Sequence, residues 1–157
     1  MTTTQQQTNY ADANAKAHAE TIEALYELAC WDFSTGEVPQ PLTETADDIL
    51  QGLDLIKYGS YAEAVQLAVT QYVQEMPLSV RVRSDWHSPG ETFEAAEFEI
   101  LLSTGGPACR IIGELNRGSV ERPVLQHNHW FKPWTESSYD IDTNALLWFC
   151  EQFYYGE

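Results

Sequence analysis

The period of the hydrophobic positions changes near the middle of this chain. Upstream of Pro77 they recur every three or four residues, and downstream they recur every second one. Over 11–32, an Ala-rich run carrying Ile22, Leu25, Leu28 and Ala29 at helical spacing predicts an amphipathic helix. The stretch 34–41, with Gly36, Pro39 and Pro41, reads as a loop. Thr45 ahead of Asp47 and Asp48 reads as the entry to a short second helix ending near Lys57, with both carboxylates at its positive end. Ser60 followed by Glu63 is a capping-box pattern, and Ala64, Leu67, Ala68 and Tyr72 predict a third helix to about Gln74. Residues 1–10 are polar and uncharged and read as a disordered tail.

Beyond Pro77, Leu78, Val80 and Val82 alternate with Ser79, Arg81 and Arg83, and Phe98, Ile100 and Leu102 alternate with Glu97, Glu99 and Leu101. Two antiparallel strands follow, with Arg81 and Arg83 expected to face Glu97 and Glu99. The turn at Gly105, Gly106 and Pro107 leads to a third strand over 109–115, and 116–119 turns into a fourth over 123–131. Asp142 or Thr143 is expected to cap a last helix through Leu146, Leu147, Phe149, Cys150 and Phe153, ending near Gly156. The predicted architecture is α+β, a single domain over 11–157. It has an acidic helical part over 11–77, then over 78–157 a four-stranded antiparallel meander with the C-terminal helix packed on it. Phe98, Ile100, Leu102, Ile111, Leu147 and Phe153 are expected to share one core.

A chain of 157 residues, 43% hydrophobic and 12% aromatic, can bury a core without covalent staples. Cys30, Cys109 and Cys150 are odd in number, lie far apart and sit in apolar runs, which argues for a reducing compartment rather than a disulfide framework. No basic segment followed by an apolar run opens the chain, and no apolar stretch approaches the roughly 18 residues that span a bilayer, so a cytoplasmic protein is expected. Charge changes the picture most. Twenty-four Asp and Glu against eight Lys and Arg give a formal net charge of −16. Residues 1–75 hold twelve of the acids against Lys16 and Lys57 alone. Such a field repels nucleic acid and anionic membrane and favours encounter with basic surfaces, above all the Lys/Arg grooves that hold nucleic acid.

The candidate chemistry is thin. The run 103–107 has the glycines of a phosphate cradle but joins two strands, opens no helix and is followed by no Lys, so a hairpin turn explains it better. His127 and His129, two apart on a strand, could share a metal with His87 or Asp85, yet ordinary hydrogen bonding is the stronger reading. Cys109 opposite His127 could form a nucleophile and base, but its apolar run reads as core. No carboxylate pair is marked out for acid–base work, and neither a catalytic residue, a metal nor a cofactor is assigned. The aromatic residues of 130–134 and 148–155 are expected to pack the last helix on the sheet, with Trp134 and Tyr155, near element ends, as exposed anchors for a protein partner.

The run 98–115 (FEILLSTGGPACRIIGEL), with 133–136 (PWTE) and 149–157 (FCEQFYYGE), resembles a family of small acidic proteins carried by phages, plasmids and integrative elements. The resemblance covers about residues 95–157. It implies a mobile element inside a bacterial cell, a setting in which small acidic proteins such as anti-CRISPR and anti-restriction proteins disarm host defence. Together with the charge it leads to the expectation of a non-enzymatic inhibitor, in part a DNA mimic. Such a protein would bind a basic host protein or ribonucleoprotein, a CRISPR surveillance complex foremost, and bind no nucleic acid itself. Glu20, Glu23 and Glu27, stacked along one side of the first helix, with Asp47, Asp48 and Asp54 on the second, are the expected contact residues. The alternative is an accessory binding module or homodimer of the element whose acidity serves solvation alone.

Overall fold

A computed structural model of the chain describes residues 3–35, 38–51 and 59–156. The helical part comprises α1 (Thr3–Cys30), α2 (Gln40–Leu50) and α3 (Tyr61–Glu75). The second part comprises β1 (Ser79–Arg83), β2 (Glu97–Ser103), β3 (Ala108–Asn116), β4 (Ser119–Asn128), β5 (Thr135–Glu136) and α4 (Thr143–Glu151). The five strands run antiparallel in the order of the chain.

Several expectations about the elements need correction. From Thr3 to Tyr10 the chain is helical rather than a disordered tail: no Gly or Pro interrupts 1–30, and the stripe Ala11, Ala15, Ala19, Ile22, Leu25 and Leu28 is buried along α1. The second helix starts at Gln40, not beyond Thr45. Pro41 falls in its first turn, where a missing N–H costs nothing, and Thr45 sits inside the helix with its hydroxyl donating to the Pro41 carbonyl at 3.1 Å. Asp47 and Asp48 therefore lie towards its C-terminal end, against the helix dipole. The expected end near Lys57 lies outside the described residues, as do Glu37 and Asp54. The sheet has five strands rather than four, because Thr135–Glu136 pairs with His127 and Gln126. Finally, α4 stops at Glu151, short of Gly156.

The local signals hold elsewhere. Ser60 Oγ accepts from the Glu63 amide at 3.2 Å while the Glu63 carboxylate accepts from the Gly59 amide at 3.1 Å, so both sides of the α3 entry are satisfied. Asp142 caps α4 by accepting from the Asn144 amide at 2.8 Å. The β3–β4 hairpin turns on Arg117 and Gly118, both at positive φ, the type I′ geometry that matches strand twist. β4 spans Ser119–Asn128 rather than 123–131, and it bulges where Arg122 and Pro123 oppose Gly113 alone, with Arg122 at φ 48°. Gly113 lies under the Phe98 ring, which a Cβ there would strike.

One face of the sheet makes the core. Phe98, Ile100, Leu102, Cys109, Ile111, Leu115 and Leu125 pack against Ile22, Leu25 and Leu28 of α1 and Ala145, Leu146, Phe149 and Cys150 of α4. Leu146 takes the place expected of Leu147, and Phe153 packs at the margin. α1 contacts β3, β4, α4, α2 and α3, and so joins the sheet to the helical part. β1 is an edge strand, which leaves Leu78 and Val82 largely exposed despite their alternation.

Candidate functional site

The expected contact residues divide. Glu20 and Glu27 stand exposed on α1, and Asp47 and Asp48 stand exposed on α2. Glu23 does not join them: it is half-buried, and its carboxylate beside the Tyr139 hydroxyl raises the Tyr139 pKa, with a smaller contribution from burial. Lys16 lies beside this group, 3.7 Å from Glu20 and 5.8 Å from the centre of the Tyr139 ring. Among the described residues of the helical part Lys16 is the one Lys or Arg, so exposed Glu20, Glu27, Glu44, Asp47, Asp48, Glu63 and Glu75 form an acidic surface with almost no internal compensation.

The open face of the sheet is built the opposite way. Arg81 and Arg83 are in register with Glu99 and Glu97, as the alternation predicts, and each is paired with its partner. Arg110 donates to Glu99 at 2.8 Å and to Gln126 at 3.0 Å, and Arg122 meets Glu114 at 2.9 Å. Glu97 and Glu114 are directly opposite across β2 and β3, a like-charge pair that Arg83 and Arg122 flank from either side. The Glu97 carboxyl is held below its usual range first by the Arg83 hydrogen bond, against the upward push of burial. For Glu99 burial is the largest influence and pushes upward, but the bonds from Arg81 and Arg110 outweigh it and the net shift is down. The arginines of this face are thus consumed locally. Between them, on the same face, Ile112 and Val124 floor a trough of about 640 Å³.

The two expected aromatic anchors are both corrected. Tyr155 is buried, with its ring 4.9 Å from that of Phe98 and its hydroxyl donating to the Cys150 carbonyl; the chain turns back into the core after α4 ends. Trp134 is half-buried under the Arg110 guanidinium, 4.2 Å from its ring, and is part of the sheet face rather than a free anchor. The exposed aromatics lie elsewhere: Tyr10, Tyr61 and Tyr72 on the helical part, Trp86 and Phe93 in the β1–β2 connection, Trp130 and Phe131 between β4 and β5, and Tyr154. Trp130 covers Gly106, whose missing side chain makes the room. A lone aromatic in a polar loop has no period, so only its position between elements could have marked it.

The titratable groups of the interior are structural. His127, buried on the inner face, has Nε2 3.3 Å from Asp12 Oδ1. Asp12 also accepts from the Ser138 amide at 3.0 Å, from the Ser137 hydroxyl at 3.3 Å and from the Ser138 hydroxyl. Burial pushes the Asp12 carboxyl upward, but the Ser138 hydroxyl and amide, His127 and Ser137 together bring it below its usual value. Neither half of this arrangement leaves a nucleophile poised: burial pushes the Cys109 thiol up to about 12 and raises Cys150 as well, so both stay protonated. Among the described residues no three His, Cys, Asp or Glu side chains are grouped to hold a metal, and no helix is long and apolar enough to cross a membrane. The run 103–107 makes the β2–β3 turn, with Gly105 at φ 99° and no helix behind it. Compared with known protein families, with curated proteins and with solved structures, the chain matches none.

Proposed function

We propose that this protein is a non-enzymatic inhibitor that binds a basic, nucleic-acid-holding surface of a host defence complex, a CRISPR surveillance complex foremost, and blocks access of DNA. One observation carries the reading: the charge is segregated. Arginines of the sheet face are paired with Glu97, Glu99 and Glu114, whereas among the described residues of the helical part Lys16 is the one Lys or Arg beside the exposed carboxylates of α1, α2 and α3. A neutralised sheet and an uncompensated helical surface direct the field of the molecule to one side, where Lys and Arg side chains that otherwise hold phosphates are its natural complement. Glu20, Glu27, Asp47 and Asp48 are the contact residues in this reading. The mimicry is of charge rather than of shape, since Glu20 and Glu27, seven apart on α1, are spaced about 10 Å along the axis, coarser than the phosphates of a duplex.

The test is a competition assay in which a purified surveillance complex binds its DNA target with and without the protein. Inhibition is expected to weaken as salt rises. Glu20→Gln with Glu27→Gln should lower the association rate while leaving the melting temperature unchanged, and the protein alone should shift no duplex in a mobility assay. Undiminished inhibition by the double variant, or tight duplex binding by the protein itself, would refute the reading.

A further inference from the structure

The geometry points to a second copy of this chain as the occupant of the open sheet face. Two independent observations converge there. The first is shape. Trp86 is fully exposed, and it lines a hollow that shares Arg83 and Glu97 with the trough over Ile112 and Val124. Phe93, also exposed, belongs to the same β1–β2 connection, its ring 5.2 Å from that of His87. A projecting indole next to an apolar-floored trough of about 640 Å³ is a knob beside a hole. Two copies related by a two-fold axis can each place Trp86 over the other's trough, the reciprocal contact that an isologous interface requires.

The second observation is charge. Arg81, Arg83, Arg110 and Arg122 are matched on this face by Glu97, Glu99, Glu114 and Glu121, so the face carries little net charge. A face with little net charge does not repel its own two-fold image. Two molecules of formal charge −16 can meet on it with α1, packed on the other face of the sheet, turned away from the partner. Trp86 and Phe93 bring about 300–500 Å² between them, and the trough and ladder must supply the remainder of the about 800 Å² per partner that a stable interface buries. This inference does not depend on the inhibitor reading, and salt separates the two: screening weakens an acidic surface on a basic partner but strengthens association of two like-charged copies.

Sedimentation equilibrium of the full chain at low salt and at about 0.5 M salt tests it. The expected result is a species of twice 17.8 kDa, more populated at the higher salt. Trp86→Ala should raise the dimer Kd at least about tenfold, as loss of a central aromatic does, and Val124→Glu should give monomer. Circular dichroism and fluorescence melts of each variant report whether it folds. Should Val124→Glu fail to fold, Trp86→Ala decides alone, because a fully exposed side chain cannot hold the monomer together. A wild-type chain that stays at 17.8 kDa at every concentration and salt, or a dimer indifferent to both substitutions, overturns the inference.

Discussion

Replacing Asp12 by Ala should destabilise the fold by about 2–4 kcal/mol, although the residue lies near the start of the chain and 29% of its side chain is exposed. Its carboxylate gathers His127 of β4 and both hydroxyls and one amide of Ser137 and Ser138, groups more than a hundred residues away. Ser138 is exposed and can turn to water, so its loss is small. His127 is buried, and an orphaned ring N–H there costs about 1–3 kcal/mol, with the lost charge-assisted bonds adding the rest. For a chain of this length the sum is a fall of about 5–15 °C in melting temperature. The sign of the pH dependence follows from the direction of the Asp12 shift. Its folded pKa lies below the model-compound value of 3.8, so the stabilisation it brings is full above that value and is lost as pH falls through the folded value. Thermal melts of wild type, Asp12→Ala and Asp12→Asn from about pH 2 to pH 7 provide the assay. The gap between wild type and Asp12→Asn should be constant above about pH 5 and close below about pH 4. Hydrogen exchange should quicken first in the N-terminal turns of α1. An Asp12→Ala variant within about 0.5 kcal/mol of wild type, or a gap to Asp12→Asn unchanged at the lowest pH, would refute the reasoning.

Gly113→Ala should cost about 1–3 kcal/mol by overpacking, because the new methyl meets the Phe98 ring; denaturant titration reads it, and a neutral result would mean that the ring can move aside. Native protein should expose one thiol to an aromatic disulfide reagent, Cys30, with Cys109 and Cys150 reacting only on unfolding, since the first is exposed and burial keeps the others protonated.

What could be read from the sequence is what is decided within a few residues. The change of period at Pro77, the Ser60–Glu63 box, the Asp142 cap and the pairing of Arg81 and Arg83 with Glu99 and Glu97 all depend on neighbours in sequence or on a simple register. Pro41 misled because proline both breaks helices and starts them, and the choice depends on whether a carbonyl four residues earlier already belongs to a helix. β5, with two residues, is too short to carry a period. At the candidate surface, helical spacing placed Glu20 and Glu27 outward, but the fate of Glu23 was settled by Tyr139, 116 positions on. Tyr155 lies past a helix end, where the direction of the chain is set by the Phe98 ring and the Cys150 carbonyl rather than by local pattern.

The junction between Asp12 and Ser138 also bears on how the chain is made. α1 leaves the ribosome more than a hundred residues ahead of the groups that pin it, His127, Ser137 and Ser138. At about 5–20 residues per second the helix waits roughly 6–25 s for them. During that interval α2 and α3 can already pack on it, while the meander, whose strands pair only with their neighbours in sequence, can form behind them without it. The final step is then the closing of a 126-residue separation by a helix whose docking stripe begins Ala11, Ala15, Ala19. Methyl groups present little sticky surface to other nascent chains, and the carboxylates along the same helix repel them. The small side chains at the N-terminal end of this stripe are what allow that end of α1 to remain unclaimed until His127, Ser137 and Ser138 exist, while Ile22, Leu25 and Leu28 lie further along the helix.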